Sequence, residues 1–228
     1  MAKRVQRVVV LSGNMIDKNL FLIGIAGGSC SGKSFLAEKL EQAMGEDCIG
    51  VISLDRYYHD LNPLPPERRE EVNFDRPDAI DFGMLEEDIA RLAAGEEIRL
   101  PIYDFRTHTR RPEDEWTETV AGGRSDSARV LILEGLHTFY ARGLRDLLDL
   151  RVYIDTSPDV CLARRLKRDV RERGRTGGSV RDVFEKNVMP MYRKFVLPTR
   201  EYSDIVLNGE GDYRVNVSKV LDKVQGCR

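Results

Sequence analysis

Five short apolar runs, each of strand length, recur along this chain and are separated mostly by segments long enough to form a helix. They are LFLIGIA (20–26), CIGVISL (48–54), ARVLILE (128–134), LRVYID (150–155) and DIVLN (204–208). Apolar residues at helical spacing follow the first run, and others precede Gly95, a residue suited to end a helix. A parallel pair of strands needs a crossover connection, which a helix supplies. We therefore predict an α/β fold, a parallel sheet covered by helices on both faces.

Composition limits the domain count and the partners. A length of 228 residues suits one domain, predicted to span residues 1–228, and 36 basic against 38 acidic residues give no overall charge that would attract nucleic acid. No apolar stretch is long enough to cross a membrane. The four cysteines lack the paired spacing of a zinc site or a disulfide framework. We expect a cytoplasmic protein with reduced thiols and with no nucleic-acid or membrane partner.

Two stretches interrupt the alternation of strands and helices. The prolines of residues 62–77 argue against regular structure, and residues 98–120 have the composition of short strands in a small side sheet. Both fall within an insertion at about 56–120. Because long irregular inserts in compact domains are often binding elements, we expect this one to bind a ligand.

Two further helices are predicted near the C-terminal end of the chain. Ser157 and Pro158 have the residue types of a helix cap and a first helical position. A second helix is predicted over residues 179–195, kinked or broken near Pro190.

The loop after the first apolar run has the pattern GxxxxGK[ST]. Its residues are Gly27, Gly28, Ser29, Cys30, Ser31, Gly32, Lys33 and Ser34. Glycines allow backbone N–H groups to turn inward toward phosphate oxygens, and the N-terminus of the following helix favours the same anion. Lys33 reaches the terminal phosphates, and the Ser34 hydroxyl is suited to ligate Mg²⁺. This loop is predicted to bind a nucleoside triphosphate with Mg²⁺.

Two carboxylates follow strands at the edge where such sheets bind ligands. Asp55 comes after VISL and Glu134 ends VLIL. Either one alone is often a cap for the next loop, but a pair opposite a phosphate loop suits Mg²⁺ and an acceptor hydroxyl. Phosphoryl transfer needs an in-line acceptor, charge neutralisation and a group that takes the acceptor's proton. The predicted activity is therefore phosphoryl transfer.

An arginine-rich segment, LARRLKRDVRERGR (162–175), is a second source of positive charge. Its arginines that share one side at helical spacing are Arg164, Arg168 and Arg171. We expect most of this segment to be a solvent-facing helix surface with ion pairs to acidic neighbours such as Asp169. Arg173 and Arg175 differ because glycines surround them. They suit a mobile lid at about 171–180 that closes over the triphosphate.

The chain resembles the uridine-cytidine kinase family of P-loop kinases from about Phe21 to Gly211. The segments that carry the resemblance, in family order, are GGSCSGKS (27–34), SLDRYY (53–58), NFDRPDAID (73–81), LPIYDFRTHTRR (100–111), LILEGL (131–136), RRLKRDVRERGR (164–175) and VLPTREYSDIVLNG (196–209). Seven segments in order are far more specific than the phosphate loop alone.

This resemblance implies transfer of a phosphoryl group from ATP or GTP to the 5′-hydroxyl of uridine or cytidine. It implies that Asp55 is the base on that hydroxyl and acts with Lys33 in catalysis. It implies that Asp75 binds the ribose 2′- and 3′-hydroxyls and that Arg165 is a second contact to ribose or phosphate.

Three more groups of side chains receive roles by the same resemblance. They are Tyr103, Phe105 and His108 for the pyrimidine, Ser34 and Glu134 for Mg²⁺, and Arg168, Arg173 and Arg175 for the transferring phosphate. The resemblance also implies a homo-oligomer, a tetramer. Apart from the family, rings that offer faces for a base are Tyr57, Phe74, Tyr103 and Phe105.

Two positions depart from the usual family pattern. Arg76 stands where family members usually have His, so it is expected to pair with Asp75 or to meet an anionic group on the acceptor. Val183 and Phe184 offer no polar side chain where the family often supplies one to the pyrimidine. These differences leave open a related kinase for a sugar phosphate or pantothenate. A non-catalytic nucleotide sensor is a third alternative, which would need no base such as Asp55.

Overall fold

The computed structural model describes residues 8–11, 14–17, 20–122 and 129–227. The strands in this part of the chain are β1 (Val8–Leu11), β2 (Asn14–Asp17), β3 (Leu20–Gly27), β4 (Cys48–Ser53), β5 (Glu97–Arg99), β6 (Tyr103–Asp104), β7 (Thr109–Arg110), β8 (Thr119–Ala121), β9 (Arg129–Glu134), β10 (Leu150–Asp155) and β11 (Ile205–Asn208). The α-helices are α1 (Lys33–Met44), α2 (Pro66–Arg69), α3 (Phe82–Ala93), α4 (Arg142–Leu147), α5 (Pro158–Arg173), α6 (Gly177–Val183), α7 (Met189–Met191) and α8 (Tyr213–Cys227).

The central sheet has five strands in the order β11-β10-β3-β9-β4, and every pairing is parallel. Each of the five predicted apolar runs forms one of these strands. β1 and β2 form a separate antiparallel pair. The prediction of a parallel sheet is confirmed.

Helices cover both faces of this sheet. As a result, all eight residues of the central strand β3 are buried. One face packs against α1 and α8; the buried residues there include Phe21, Ile23, Ile25, Leu36, Leu40, Val220 and Val224. The other face packs against α3; its buried residues include Leu20, Leu22, Ala26, Leu85, Ile89 and Leu92. A strand buried on both faces reads as a continuous apolar run, as LFLIGIA does.

The insertion contains two short antiparallel ladders. β5 pairs with β8, and β6 pairs with β7. The predicted side sheet is thus confirmed as two separate pairs. The prediction that residues 62–77 lack regular structure is wrong at α2, where Pro66 opens a single helical turn. Proline is tolerated at a first helical position because the N–H it lacks would have no partner there.

The predicted start of α5 is confirmed, with Ser157 at the cap position and Pro158 first in the helix, although the Ser157 side chain makes no capping hydrogen bond. Gly174 ends α5 with φ of 63°. The helix predicted to be kinked or broken near Pro190 is not broken there. The helical path continues through α6, a π-helical turn at Phe184–Val188, α7 and a second π-helical turn at Tyr192–Val196. These wider turns flank the proline, which has no N–H to donate to an i−4 carbonyl.

None of the helices in the described ranges is both long and apolar enough to span a membrane.

Tyr57 belongs to the core and not to an open aromatic surface, which corrects one expectation from the sequence. It is fully buried in the 3₁₀ turn at Leu54–Tyr57, and its hydroxyl donates to Asp88 Oδ2 at 2.8 Å. Asp88 is itself buried, and burial raises the pKa of its carboxyl group. The pair is therefore a structural hydrogen bond between the 3₁₀ turn after β4 and α3.

Tyr57→Phe is expected to lower the free energy of unfolding by about 1–3 kcal/mol, because it leaves the buried Asp88 carboxyl without this donor. Chemical denaturation measures the change. Tyr140→Phe is the control, since that side chain is 43% exposed. Equal stability of the two variants would contradict a structural role for the Tyr57 hydroxyl.

Candidate active site

The carboxyl ends of three neighbouring strands bring the predicted catalytic groups together. In the register of the sheet, Glu134 lies opposite Ile25 on one side and Ser53 on the other. The phosphate loop leaves β3 at this edge, and the turn that holds Asp55 leaves β4 at the same edge. Ligands of open parallel sheets bind at this edge.

The phosphate loop curls through backbone conformations that glycine favours. Gly27 has φ of 149° and Gly32 has φ of 108°. A Cβ atom at Gly27 would lie 2.6 Å from the carbonyl oxygen of Ile154, so no larger residue fits there without movement. Cys30 also has a left-handed φ, 62°, which is uncommon for a residue other than glycine. The Lys33 side chain is buried within the loop, and its Nζ donates to the carbonyl of Gly28 at 2.9 Å.

Arg164 fixes the loop from outside, a role that the sequence did not indicate. Its Nη1 donates to the carbonyls of Cys30 and Ser31 at 3.3 and 3.1 Å, and its Nη2 donates to that of Gly209 at 2.8 Å. Thr156 Oγ1 donates to the same Ser31 carbonyl at 3.0 Å. Arg164 is exposed, as expected, but its guanidinium also binds the phosphate loop.

Ser34 and Glu134 form the oxygen pair that was predicted to hold Mg²⁺. Ser34 Oγ donates to Glu134 Oε1 at 3.2 Å. Burial raises the pKa of Glu134, and the nearby charge of Lys33 lowers it. No cluster of three acidic, His or Cys residues suited to a metal occurs in the described residues. Magnesium commonly takes one or two carboxylates with substrate phosphates, so a hydroxyl beside a single carboxylate fits its chemistry.

Asp55 and Asp75 lie within electrostatic reach of each other at the mouth of the loop. Burial raises the pKa of Asp75 most; the positive charge of Arg165 opposes this effect, and the negative charge of Asp55 adds to it. The charges of Lys33 and Arg168 also act on the Asp75 carboxyl. A carboxylate from the insertion therefore shares one electrostatic environment with the phosphate loop and α5.

Arg165 and Arg168 are held by Asp169, which is fully buried rather than on a solvent-facing surface. Asp169 Oδ1 accepts from Arg168 Nε at 2.8 Å, and Oδ2 lies 3.4 Å from Arg165 Nε. Arg165 is also buried, and its Nη1 donates to Ser29 Oγ at 3.0 Å. The expected solvent-facing surface is thus wrong for Arg165 and Asp169, which are buried, whereas Arg168 stays one third exposed.

The predicted lid comprises the end of α5, a short connection and the start of α6. The Arg173 side chain lies outside the described part of the structure. Arg175 is exposed, and its backbone N–H donates to the Asp169 carbonyl at 3.1 Å. Its charge acts on His108, whose pKa is lowered mainly by burial. Asp169 therefore connects the lid backbone to both arginines of the site.

An aromatic cluster in the insertion surrounds Tyr58, which the sequence analysis did not single out. Its ring lies 5.2 Å from Phe74, 5.3 Å from Tyr103 and 6.4 Å from Phe105, measured between centroids. The Tyr58 hydroxyl lies 3.2 Å from Asp55 Oδ1 and 3.2 Å from the carbonyl oxygen of Phe74, and it shares its proton between these two acceptors. The cluster thus reaches from the exposed Phe105 ring to the carboxylate at the strand edge.

Two polar atoms of this cluster have no hydrogen-bond partner among the described residues. They are the Tyr103 hydroxyl and His108 Nδ1. The His108 ring stacks on Phe74, with centroids 4.6 Å apart, and its backbone φ is 55°. Buried polar atoms without a partner are uncommon and are often satisfied by water or a ligand.

The structure pairs Arg76 with Asp78 and not with Asp75. Arg76 Nε donates to Asp78 Oδ1 at 2.9 Å, and Nη2 donates to Oδ2 at 2.7 Å. The Arg76 side chain is 52% exposed. Phe184, the second position that departs from the family pattern, packs with Cys161 and Val188 in a small apolar cluster.

His137 is a further residue of this region that the sequence analysis missed. It is 1% exposed, and its Nε2 lies 3.0 Å from the carbonyl of Asp75, to which it donates. Burial lowers the pKa of His137 to about 4, so the ring is neutral at pH 7. A neutral imidazole therefore holds the backbone of the Asp75 loop. Nothing in the sequence around residue 137 signals this contact, because its partner lies 62 residues away.

Comparison with known proteins matches residues 22–216 to the family described as phosphoribulokinase / uridine kinase. The chain belongs to this family. A uridine kinase from Chloroflexus aurantiacus is 38% identical over 206 residues, covering 90% of this chain and 95% of the relative. Uridine kinases from Tolumonas auensis and Clostridium novyi are each 39% identical and cover 90% of this chain and 94% of the relative. The chain is therefore a kinase, and the sensor alternative is set aside.

Solved structures with low sequence identity share the fold. A D-glycerate 3-kinase from Cryptococcus neoformans aligns with a TM-score of 0.59 at 18% identity, covering 86% of this chain and 88% of that one. The phosphoribulokinase from Rhodobacter spheroides aligns with a TM-score of 0.55 at 17% identity, covering 85% and 73%. At these identities the likeness establishes the P-loop kinase fold alone.

His137→Gln is expected to make stability less dependent on pH between about 4 and 6.5. The folded protein resists protonation of His137 down to a pKa of about 4, whereas the unfolded chain takes up that proton near 6.5. The stabilisation from this neutral ring is therefore complete above pH 6.5 and is lost as the pH falls, by at most about 1.4 kcal/mol per pH unit. Gln keeps a donor near the position of Nε2 but does not titrate.

Melting temperatures of both proteins at pH 7 and pH 5 measure this effect. The wild type should lose more stability than the variant on acidification. His59→Gln is the control, because the His59 side chain is 53% exposed. Identical pH profiles for the wild type and His137→Gln would show that His137 is not held neutral.

Proposed function

We propose that this protein transfers the terminal phosphoryl group of ATP or GTP to the 5′-hydroxyl of a pyrimidine ribonucleoside such as uridine or cytidine. One observation carries the proposal. The carboxylates Asp55 and Asp75 share their surroundings with Lys33 and Arg165, beside an aromatic cluster that retains polar atoms without partners. The names of the relatives, uridine kinases at 38–39% identity, support the same acceptor.

The donor half of the site suits a triphosphate. Inward N–H groups of the loop and the N-terminus of α1 bind phosphate oxygens, and Lys33 neutralises charge that develops on the transferred group. Ser34 and Glu134 would hold Mg²⁺, which would supply positive charge to neutralise the phosphates. Arg168, Arg173 and Arg175 would add positive charge from α5 and from a lid at about 171–180.

Asp55 is suited to accept the proton of the attacking hydroxyl. It follows β4 at the strand edge, and the Tyr58 hydroxyl donates to its Oδ1, which orients the carboxylate. That bond occupies one oxygen and leaves the other for the acceptor. A carboxylate in this role typically contributes a factor of about 10²–10⁴ to the rate.

The acceptor half of the site suits a ribonucleoside. Asp75 would bind the ribose hydroxyls with Arg165 beside it, and Phe74, Tyr103 and Phe105 would enclose the base. The free polar atoms of Tyr103 and His108 are a donor and a possible acceptor for the polar edge of a pyrimidine. The insertion at about 56–120 is thus the proposed acceptor-binding element of a single kinase domain.

The alternative acceptor, a sugar phosphate, relied on a free cation at Arg76. That guanidinium is already engaged by Asp78 with two short hydrogen bonds and is half exposed. An exposed ion pair contributes little to stability. An Arg76 guanidinium that is already paired in this way gives no evidence of a site for an anionic group of the acceptor. The nucleoside is therefore preferred.

Asp55→Asn is expected to lower kcat by at least about a hundredfold while ATP binding is preserved, because an amide keeps the shape but cannot take the proton. Turnover and ATP affinity are measured on the same preparation. Asp146→Asn is the control, since that carboxylate is 63% exposed on α4. Turnover of Asp55→Asn close to that of the control would exclude Asp55 as the base.

Uridine should exceed 2′-deoxyuridine in kcat/KM by roughly ten- to a hundredfold, because loss of one hydrogen bond to the Asp75 carboxylate costs about 1.5–3 kcal/mol. Asp75→Ala should remove most of this preference. Ribulose 5-phosphate, assayed alongside, tests the alternative. Equal kcat/KM of the wild type for uridine and 2′-deoxyuridine, or a higher kcat/KM for the sugar phosphate, would contradict the proposed acceptor.

A further inference from the structure

The guanidinium of Arg69 contacts three backbone carbonyl oxygens of the insertion. Arg69 is the last residue of α2 and is half-buried between exposed neighbours. Its Nε donates to the carbonyl of Leu64 at 2.7 Å, its Nη2 to that of Asn62 at 3.0 Å and its Nη1 to that of Thr107 at 3.2 Å. The first two carbonyls precede α2, and the third lies in the hairpin formed by β6 and β7. Arg69 therefore joins two parts of the insertion that are 38 residues apart in sequence.

This set of contacts requires the planar shape of an arginine side chain. A guanidinium presents five N–H groups in fixed directions, so its separate nitrogens can bind separate carbonyls at the same time. A lysine carries all of its donors on one nitrogen and cannot reproduce this arrangement. The geometry of the side chain, and not only its charge, therefore matters at position 69.

The hairpin needs support from outside, because β6 and β7 have two residues each. An isolated two-stranded hairpin is marginally stable at best in water. Asp60 supports β7, since its Oδ1 accepts from the backbone N–H of Arg110 at 3.0 Å. Arg69 supports the connection between the two strands, residues 105–108, through the carbonyl of Thr107.

The carbonyl of Thr107 belongs to the peptide group that leads into His108. The His108 backbone has φ of 55°, a left-handed conformation that costs energy for a residue other than glycine and persists where the surroundings hold it. Arg69 restrains this peptide group directly. The His108 ring stacks on Phe74, and its buried Nδ1 has no hydrogen-bond partner among the described residues. The orientation of this free polar atom therefore depends on a backbone that Arg69 holds.

The charge of Arg69 also reaches the polar groups of the aromatic cluster. Burial lowers the pKa of His108 most, and the positive charges of Arg175 and Arg69 lower it further. Burial raises the pKa of Tyr103, and the charge of Arg69 opposes this effect. Arg69 thus lies near both side chains that offer unpartnered polar atoms and favours a neutral His108 ring, which has one nitrogen free to accept a hydrogen bond.

We propose that Arg69 is a positioning residue for the base of the acceptor, because it fixes the peptide group between Thr107 and His108 and so sets where the His108 ring stands. The inference rests on the proposed nucleoside kinase function and adds a residue that acts through His108. Asp75 and Lys33 are held by other contacts, from His137 and to Gly28 respectively. Recognition of the ribose and of the phosphates should therefore not depend on Arg69.

The test compares acceptors that share the ribose but differ in whether they carry a base. Values of kcat/KM for uridine and for methyl β-D-ribofuranoside are measured for the wild type, Arg69→Ala and Arg69→Lys. The ratio of the two values should fall by about five- to thirtyfold in both variants, the effect of losing one or two hydrogen bonds to the base. The ratio of uridine to 2′-deoxyuridine and the KM for ATP should stay unchanged.

Arg68→Ala is the matched control. Arg68 is the preceding residue of the same helical turn, its side chain is 68% exposed, and it pairs with Glu71 at 3.0 Å. This variant should keep wild-type values for every acceptor. Arg69→Lys separates geometry from charge, because it retains the charge but not the separate nitrogens. Melting curves establish that each variant is folded, and Arg69→Lys carries the comparison if Arg69→Ala does not fold.

The outcomes distinguish this inference from the function on which it rests. An unchanged ratio of uridine to methyl β-D-ribofuranoside in Arg69→Ala, or a wild-type ratio in Arg69→Lys, would overturn the positioning role. Equal losses for the two acceptors would also overturn it, because they would indicate general damage to the site. A wild type that phosphorylates both acceptors equally well would show that the base is not recognised and would overturn the inference while leaving a kinase. A wild type that phosphorylates neither acceptor would overturn the proposed function itself.

Discussion

The parallel pairing of β9 between β3 and β4 is the constraint on which the site depends. It sets Glu134 beside Ile25 and Ser53, so that the chain leaves β3 and β4 at the same edge where β9 ends. Parallel pairing requires crossovers, and the crossover after β3 is α1, whose N-terminus completes the phosphate loop. A shift of β9 by one residue would turn the Glu134 side chain toward the opposite face of the sheet. Position at the strand edge, more than any single side-chain contact, thus determines which groups meet.

Charge balance is the second condition that the fold meets at this edge. Burial raises the pKa values of Asp75 and Glu134; Arg165, Lys33 and Arg168 lower that of Asp75, and Lys33 lowers that of Glu134. Asp169 adds a buried negative charge behind the arginines. Removing one partner from such a group leaves a buried charge uncompensated, which usually destabilises more than the pair itself stabilises. Substitutions here are therefore expected to affect folding as well as catalysis.

The sequence predicted those parts of the molecule that are specified by local patterns. The five strands follow from continuous apolar runs, and the phosphate loop follows from a spacing that a short stretch of chain contains in full. Tyr57 and Tyr58 show the limit, because both adjacent rings are buried but only the tertiary packing places one hydroxyl against Asp88 of α3 and the other beside Asp55. Arg164 and Asp169 belong to a segment that reads as a charged helix surface, because the contacts of Arg164 with the phosphate loop and the burial of Asp169 depend on how α5 docks. His137 was not found because the Asp75 loop that it contacts is also distant in sequence.

The hydrogen bond from Lys33 Nζ to the Gly28 carbonyl immobilises the lysine side chain before any nucleotide binds. A free lysine side chain has many rotamers, and immobilising it costs up to about 2 kcal/mol. In this protein that side chain is already buried and bonded within its own loop. Its conformational freedom is therefore lost when the chain folds and not when a nucleotide arrives. The loop is preorganised, so more of the attraction between Lys33 and phosphate remains available as binding affinity.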